Sequence, residues 1–350
     1  MSRQTPLSSA DKAKESPRLP SILMAAAECA PFAKTGGLAD VVGTLSRELK
    51  DLGFDIRLMV PYHRVIKDKY RDAVKHVVSF SVDLGWRSQY AGIELLDWDG
   101  LPVYFIDNEY YFGHAIYRGG SFEGEQYAYF SRVILEALPL IGFEPDIIHV
   151  NDWHTAMVPM LQKTQYGGKP QSRAKTVLSI HSLGYQGRFD FNFAADLLSI
   201  EGKYYSPDYL EYYGGANFMK GGIVFADRIV TVSPTYAEEI CTPQFGEGLD
   251  GVLRTRRDDL IGILNGIDTE AYNPAADEYI SHPYSADDLS GKQRDKEALI
   301  KELGIRIKPD TPLIGMVSRL TRQKGLDLLL TVFDELMKED VGLVLLGTGE

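Results

Sequence analysis

An unbroken apolar run at residues 21–27 (SILMAAA) gives way to apolar positions spaced three and four apart: Leu38, Val41, Val42, Leu45, Leu49 and Leu52. The first pattern predicts a strand buried on both faces. The second predicts a helix with one apolar stripe, stopped at Gly53. Residues 54–61 (FDIRLMVP) form a second buried run and complete a β-α-β unit, which requires a parallel sheet covered on both faces. Residues 76–107 alternate through SFSVDLGW, YAGIELLDW and LPVYFID, so antiparallel or mixed strands are expected to join that plan. The rhythm then resumes with a helix over 125–140, a strand over 146–151, a helix over 156–165 and a strand over 175–181. A helix over 218–226 and strands over 228–233 and 260–264 follow.

Residues 268–310 are polar, rich in Asp, Ser and Pro, and read as a connector with one helix around 292–303. A second α/β pattern starts there: a strand over 313–318, a helix over 326–337 and a strand over 342–346. Two strands and one helix leave an exposed apolar edge. The expected class is therefore α/β, with a first domain over residues 21–267 and a second, over 311–350, only begun and cut short at Glu350.

Composition narrows the function classes. A net charge of −12 repels phosphate backbones and anionic lipid, so neither nucleic acid nor membrane is expected as a partner. No apolar run reaches the ~18 residues of a membrane span. Cys29 and Cys241 are the only cysteines; far apart, they form neither a disulfide framework nor a zinc motif and suit a reducing compartment. Residues 1–20 are polar and rich in Ser, Lys and Pro, and Glu28 interrupts the apolar stretch after them. That reads as a disordered tail before the first strand rather than a secretory signal, and a cytoplasmic protein is expected.

In open α/β sheets ligands bind beyond the carboxyl ends of the strands. The first strand ends in Glu28 and the loop PFAKTGG, residues 31–37; residues 146–151 end at Asp152-Trp153-His154; residues 175–180 end at His181, before Tyr185-Gln186-Gly187. Ser233-Pro234-Thr235 and Asn265-Gly266 close the next two strands, and Ser318-Arg319 with Lys324-Gly325 follows the first strand of the second pattern. Each has a plain structural alternative: Gly36-Gly37 as a tight turn, Asp152 as a helix cap, His181 as a structural histidine, Arg319 and Lys324 as an exposed basic turn. Trp153 and Tyr185 could equally be packing residues. No Gly-x-Gly-x-x-Gly follows the first strand, which argues against a dinucleotide oxidoreductase.

The ordered combination is far more specific than any member. Lys34-Thr35-Gly36-Gly37-Leu38-Ala39-Asp40-Val41, Asn151-Asp152-Trp153-His154 and His181-Ser182-Leu183-Gly184-Tyr185-Gln186-Gly187 occur in that order. Thr231-Val232-Ser233-Pro234-Thr235-Tyr236-Ala237, Leu264-Asn265-Gly266-Ile267-Asp268 and Ser318-Arg319-Leu320-Thr321-Arg322-Gln323-Lys324-Gly325 follow. Together they resemble the bacterial glycogen synthase and plant starch synthase family from about residue 21 to residue 350. The resemblance implies a GT-B glycosyltransferase fold of two Rossmann-like domains, the second incomplete here. It implies retaining transfer of glucose from ADP-glucose to an α-1,4-glucan, with neither cofactor nor metal. Lys34 and Asp40 match donor- and acceptor-binding positions, with Glu28, Gly36, Gly37, Tyr185 and Asn265 as further substrate contacts. Asp152 and His181 match catalytic positions beside the transferred sugar, and Arg319 and Lys324 match the cations that hold the diphosphate. Ser182 departs from the family, which usually has Asn there. The family's acidic, glycine-rich donor segment would lie beyond Glu350, so residues 1–350 alone are expected to be inactive. Transfer from UDP-glucose, or a non-catalytic glucan-binding role, are the alternatives at this point.

Overall fold

The computed structural model describes residues 18–349; most of the expected tail at residues 1–20 therefore lies outside the described residues. The chain divides between Gly266 and Ile267 into two compact units. The first contains strands β1 (Ile22–Ala25), β2 (Ile56–Pro61), β3 (Lys75–Leu84), β4 (Arg87–Trp98), β5 (Leu101–Asp107), β6 (Ile147–Asn151), β7 (Lys175–Ile180), β8 (Arg188–Asp190), β9 (Glu211–Tyr212), β10 (Gly215–Asn217), β11 (Arg228–Thr231) and β12 (Leu260–Gly262). Nine of them form one sheet in the order β12-β11-β7-β6-β1-β2-β5-β4-β3. β1 sits centrally and pairs in parallel with β2 and β6, Ile22 lying opposite both Ile56 and Ile147. The expected antiparallel addition is present: β4 runs antiparallel to β5, and β3 to β4.

Successive side chains of a strand point to opposite faces, and β1 is buried throughout. Its Leu23 and Ala25 enter one apolar cluster and its Ile22 and Met24 the other. The helix Gly120–Leu140 covers the first face through Tyr127, Phe130, Ile134 and Leu138. The helix Gly37–Asp51 covers the second through Leu38, Val42, Leu45 and Leu49. Leu52, read from the sequence as part of that stripe, is 68% exposed because the helix has ended and Gly53 has turned the chain at φ +93°. Cys29 and Cys241 are free and buried.

From β1 the chain builds outward to β2 and β5, then returns to build β6, β7, β11 and β12 on the other side. The crevice beyond the carboxyl ends of β1 and β6 is thus the switch point of the sheet, where such folds bind ligands. The second unit carries the parallel pair β13 (Leu313–Val317) and β14 (Gly342–Leu346), with the helices Ser290–Leu303 and Leu326–Leu336. Among the described residues no helix is long and apolar enough to cross a membrane.

Candidate functional site

Three neighbouring strands, β1, β6 and β7, deliver Glu28, Asp152 and His181 to the same edge of the sheet. Asp152 follows β6 immediately and adopts φ +54°, a left-handed conformation that a non-glycine residue holds only under constraint. The constraint is visible. Its N–H donates to Ser179 O at 2.8 Å, and its carboxylate Oδ1 accepts from the main-chain N–H of His181 at 2.8 Å and of Ser182 at 3.4 Å. Asp152 does not cap a helix: the next one opens at Met157, with Ala156 at its N-cap and no side-chain cap bond. The carboxylate is 6% exposed, and burial pushes its pKa up against the lowering effect of His181 and the two N–H donors.

His181 is half-buried, its ring Nε2 3.0 Å from Asn151 Oδ1. The loop after it is tied down repeatedly. Leu183 N–H donates to the Tyr236 hydroxyl at 3.2 Å. The buried Gln186 donates to Leu183 O and Glu247 O, both at 3.0 Å, and accepts from Asn217 Nδ2 at 2.7 Å. Gly187, at φ +62°, lies against the Trp153 indole so closely that no Cβ would fit. Tyr185 stays 49% exposed on this otherwise anchored loop.

On the β1 side, Glu28 is 2% exposed and its Oε2 accepts from Thr35 N–H at 2.5 Å. Burial is the main cause that raises its pKa; Thr35 lowers it, and the charges of Asp152 and Asp40 raise it further. Lys34 Nζ pairs with Asp40 Oδ1 at 2.7 Å, both side chains well exposed. Such a pair is worth at most about 1 kcal/mol and yields readily to a ligand. Gly36 is extended (φ −160°) and Gly37 opens the helix; neither has a positive φ, and among the described residues a Cβ on either meets nothing within 4 Å. The tight-turn explanation of this glycine pair therefore fails.

Tyr117 was not singled out from sequence. Its ring lies 5.0 Å from that of His154, and its hydroxyl is pushed up in pKa by burial and by the charges of Glu28 and Asp152. Nothing in the alternation around it marks this role. Asn265 is exposed beyond β12, the outermost strand, with β11 and β7 between it and β6, so it stands apart from the group at β1, β6 and β7. Arg319 and Lys324 belong to the second unit. Both are exposed after β13, and Gly325 at φ +78° joins the turn Arg322–Lys324 to the helix Leu326–Leu336. Among the described residues no group of three or more His, Cys, Asp or Glu is placed to hold a metal ion.

The starch synthase catalytic domain family matches residues 21–255. A glycogen synthase of Geobacillus thermodenitrificans is 51% identical over 330 residues, covering 94% of this chain and 68% of that relative. One from Bacillus cereus is 49% identical over the same share of this chain and 69% of its own. The catalytic domain of Arabidopsis thaliana starch synthase IV, solved bound to ADP and acarbose, superposes with a TM-score of 0.83 at 32% identity, over 95% of this chain and 69% of that one. With the strand-end constellation and the α/β fold of GT-B type, these likenesses place the chain in the glycogen and starch synthase family of glycosyltransferases.

Proposed function

We propose that the first unit supplies the sugar- and acceptor-facing side of a retaining transfer of glucose from ADP-glucose to the non-reducing end of an α-1,4-glucan, carried out in the cytoplasm. Asp152 and His181 would face the transferred sugar. Lys34, Asp40, Glu28 and the open Gly36-Gly37 backbone would line the approach of donor and acceptor, with Tyr185 offering an exposed ring to a glucose face. Asn265 would contribute from the outer strand. In the second unit Arg319 and Lys324, cations beside a helix start, suit the charge of a departing diphosphate.

The observation that carries this reading is the strained, buried Asp152, whose carboxylate fixes the His181 loop at the switch point of the sheet. Strain of this kind persists where the surroundings over-determine it, and it clusters at active sites. Buried carboxylates here can accept sugar hydroxyls and stabilise positive charge that develops on the sugar ring in the transition state. The test is glucose incorporation into glycogen across a donor panel, with His181→Ala and Lys34→Ala variants, in chains whose second unit is completed from a glycogen synthase relative, because residues 1–350 alone are expected to be inactive. Transfer from ADP-glucose, reduced by about a hundredfold or more in His181→Ala, is expected. Preferential use of UDP-glucose, or wild-type rates in both variants, would sink the reading.

A further inference from the structure

We infer that Asn151 selects the Nε2-protonated tautomer of the His181 imidazole, which leaves Nδ1, whenever the ring is neutral, as a hydrogen-bond acceptor for a hydroxyl of the sugar. The inference rests on the proposed placement of His181 at the transferred sugar and adds the direction of its hydrogen bond and the residue that sets it.

Asn151 ends β6 and is 2% exposed. One end of its side-chain amide lies 3.0 Å from Ala25 O and 3.2 Å from Met24 Sδ. A carbonyl oxygen and a thioether sulfur only accept, so the NH2 group must face them. The opposite orientation would set the amide oxygen against a carbonyl oxygen in the core. Oδ1 is therefore the atom 3.0 Å from His181 Nε2. Oδ1 can only accept, so Nε2 carries the hydrogen. A neutral imidazole has one N–H, and Nδ1 is left with its lone pair.

The second half of the clamp is the next residue. Asp152 Oδ1 holds the His181 main-chain N–H at 2.8 Å, so the last residue of β6 and the residue after it fix the ring and the backbone of one histidine. The parallel register that sets Asn151 opposite Ser179 brings both within reach of β7. Among the described residues Nδ1 has no hydrogen-bond partner, on a side chain that is only half-buried. The choice of amide is chemically pointed. An aspartate at position 151 would draw the ring toward the imidazolium, whose Nδ1 donates; the amide carries no charge and adds no such pull. Asn151 is thus a positioning residue.

The test reads the tautomer directly. In protein labelled with 15N-histidine, His181 is assigned by its loss in His181→Gln, and its two ring nitrogens are observed by two-bond 1H–15N correlation. The expected wild-type signature is a protonated, pyrrole-like Nε2 with a pyridine-like Nδ1. Asn151→Leu should average the two tautomers, and Asn151→Asp should move Nδ1 toward the protonated shift. In glucose transfer by the chain with its second unit completed, Asn151→Leu should lower kcat/KM by about tenfold or more, the size of one lost hydrogen bond. A pyridine-like Nε2 in the wild type overturns the inference even if neither Asn151 variant folds. A shifted tautomer with unchanged transfer overturns the substrate half, and with it the placement of His181. Lost transfer with an unshifted tautomer overturns the part assigned to Asn151 while leaving that placement standing.

Discussion

Gly36 and Gly187 both lie in loops at the carboxyl edge, yet only one is required by the protein's own packing. Gly187 stands at φ +62° against Trp153, with the indole Cδ2 at 2.8 Å from where a Cβ would be. Gly187→Ala should therefore cost ~1–3 kcal/mol, seen as a lower urea midpoint, through left-handed strain and overpacking. Gly36→Ala should leave stability within about 0.5 kcal/mol, because its backbone is extended and its Cβ enters open space. Transfer activity should nevertheless fall, since a loop that approaches a ligand through its backbone tolerates no side chain. Full activity in Gly36→Ala would mean that nothing needs that space. Asp152 separates the same two demands. Burial raises its carboxyl pKa, so the folded protein holds the charged form at a cost that is relieved as pH falls through the raised pKa. Asp152→Asn keeps an oxygen for the His181 N–H and removes the charge. Its thermal midpoint at pH 7 should match or exceed the wild type while transfer is lost, and a lower midpoint would show that the carboxylate stabilises the fold.

At the scale of elements, the second unit contrasts with the first. The helix Leu326–Leu336 has no buried residue; Leu328 is 70% and Leu330 66% exposed, while β1 lies between two strands with Leu23, Met24 and Ala25 wholly buried. Local opening depends on such burial, so amides of β13 and this helix should exchange with solvent at least about a hundredfold faster than those of β1 and β6. Equal protection, read by hydrogen-exchange mass spectrometry, would refute this. The same physics governs what could be read from sequence. Strands such as β1 and β6 are apolar runs because both faces are covered, so runs marked them and their carboxyl ends marked Glu28, Asp152 and His181. Apolarity misled where it was not buried: the run over 260–264 ends as a strand at Gly262, and Ile263 and Leu264 are 56% and 75% exposed. Ser233, read as the end of a strand, instead caps the helix Pro234–Glu239 by accepting from Tyr236 N–H. The small sheet β8-β10-β9 went unseen because its strands are too short to show a period. Asn151 lay within a quoted motif, but its partner is chosen by the register with β7, which no linear spacing encodes.

Over the whole molecule, buried titratable groups decide how the fold responds to acid. Burial pushes the pKa of His63 down to about 4, of His149 to about 4 and of His154 to about 3. In the unfolded chain a histidine titrates near ~6.5. Between those values the unfolded state binds a proton that the folded state does not, so stability is lost as pH falls from ~6.5 toward ~4. Glu28 and Asp152, with raised pKa values, act in the opposite sense, because the folded state there binds the extra proton. His63 gives the cleanest readout. It is fully buried, its Nε2 lies 2.8 Å from Ala27 O, and its buried Nδ1 has no partner among the described residues, as suits a neutral ring. Removing it as His63→Gln keeps a donor for Ala27 O and deletes one proton from the difference between states. The dependence of unfolding free energy on pH around pH 5–6 should then become shallower by about 1.4 kcal/mol per pH unit. Urea titrations at several pH values measure that slope. An unchanged slope would mean that His63 is already protonated in the folded state, and the acid sensitivity would have to come from His149, His154 or the carboxylates instead.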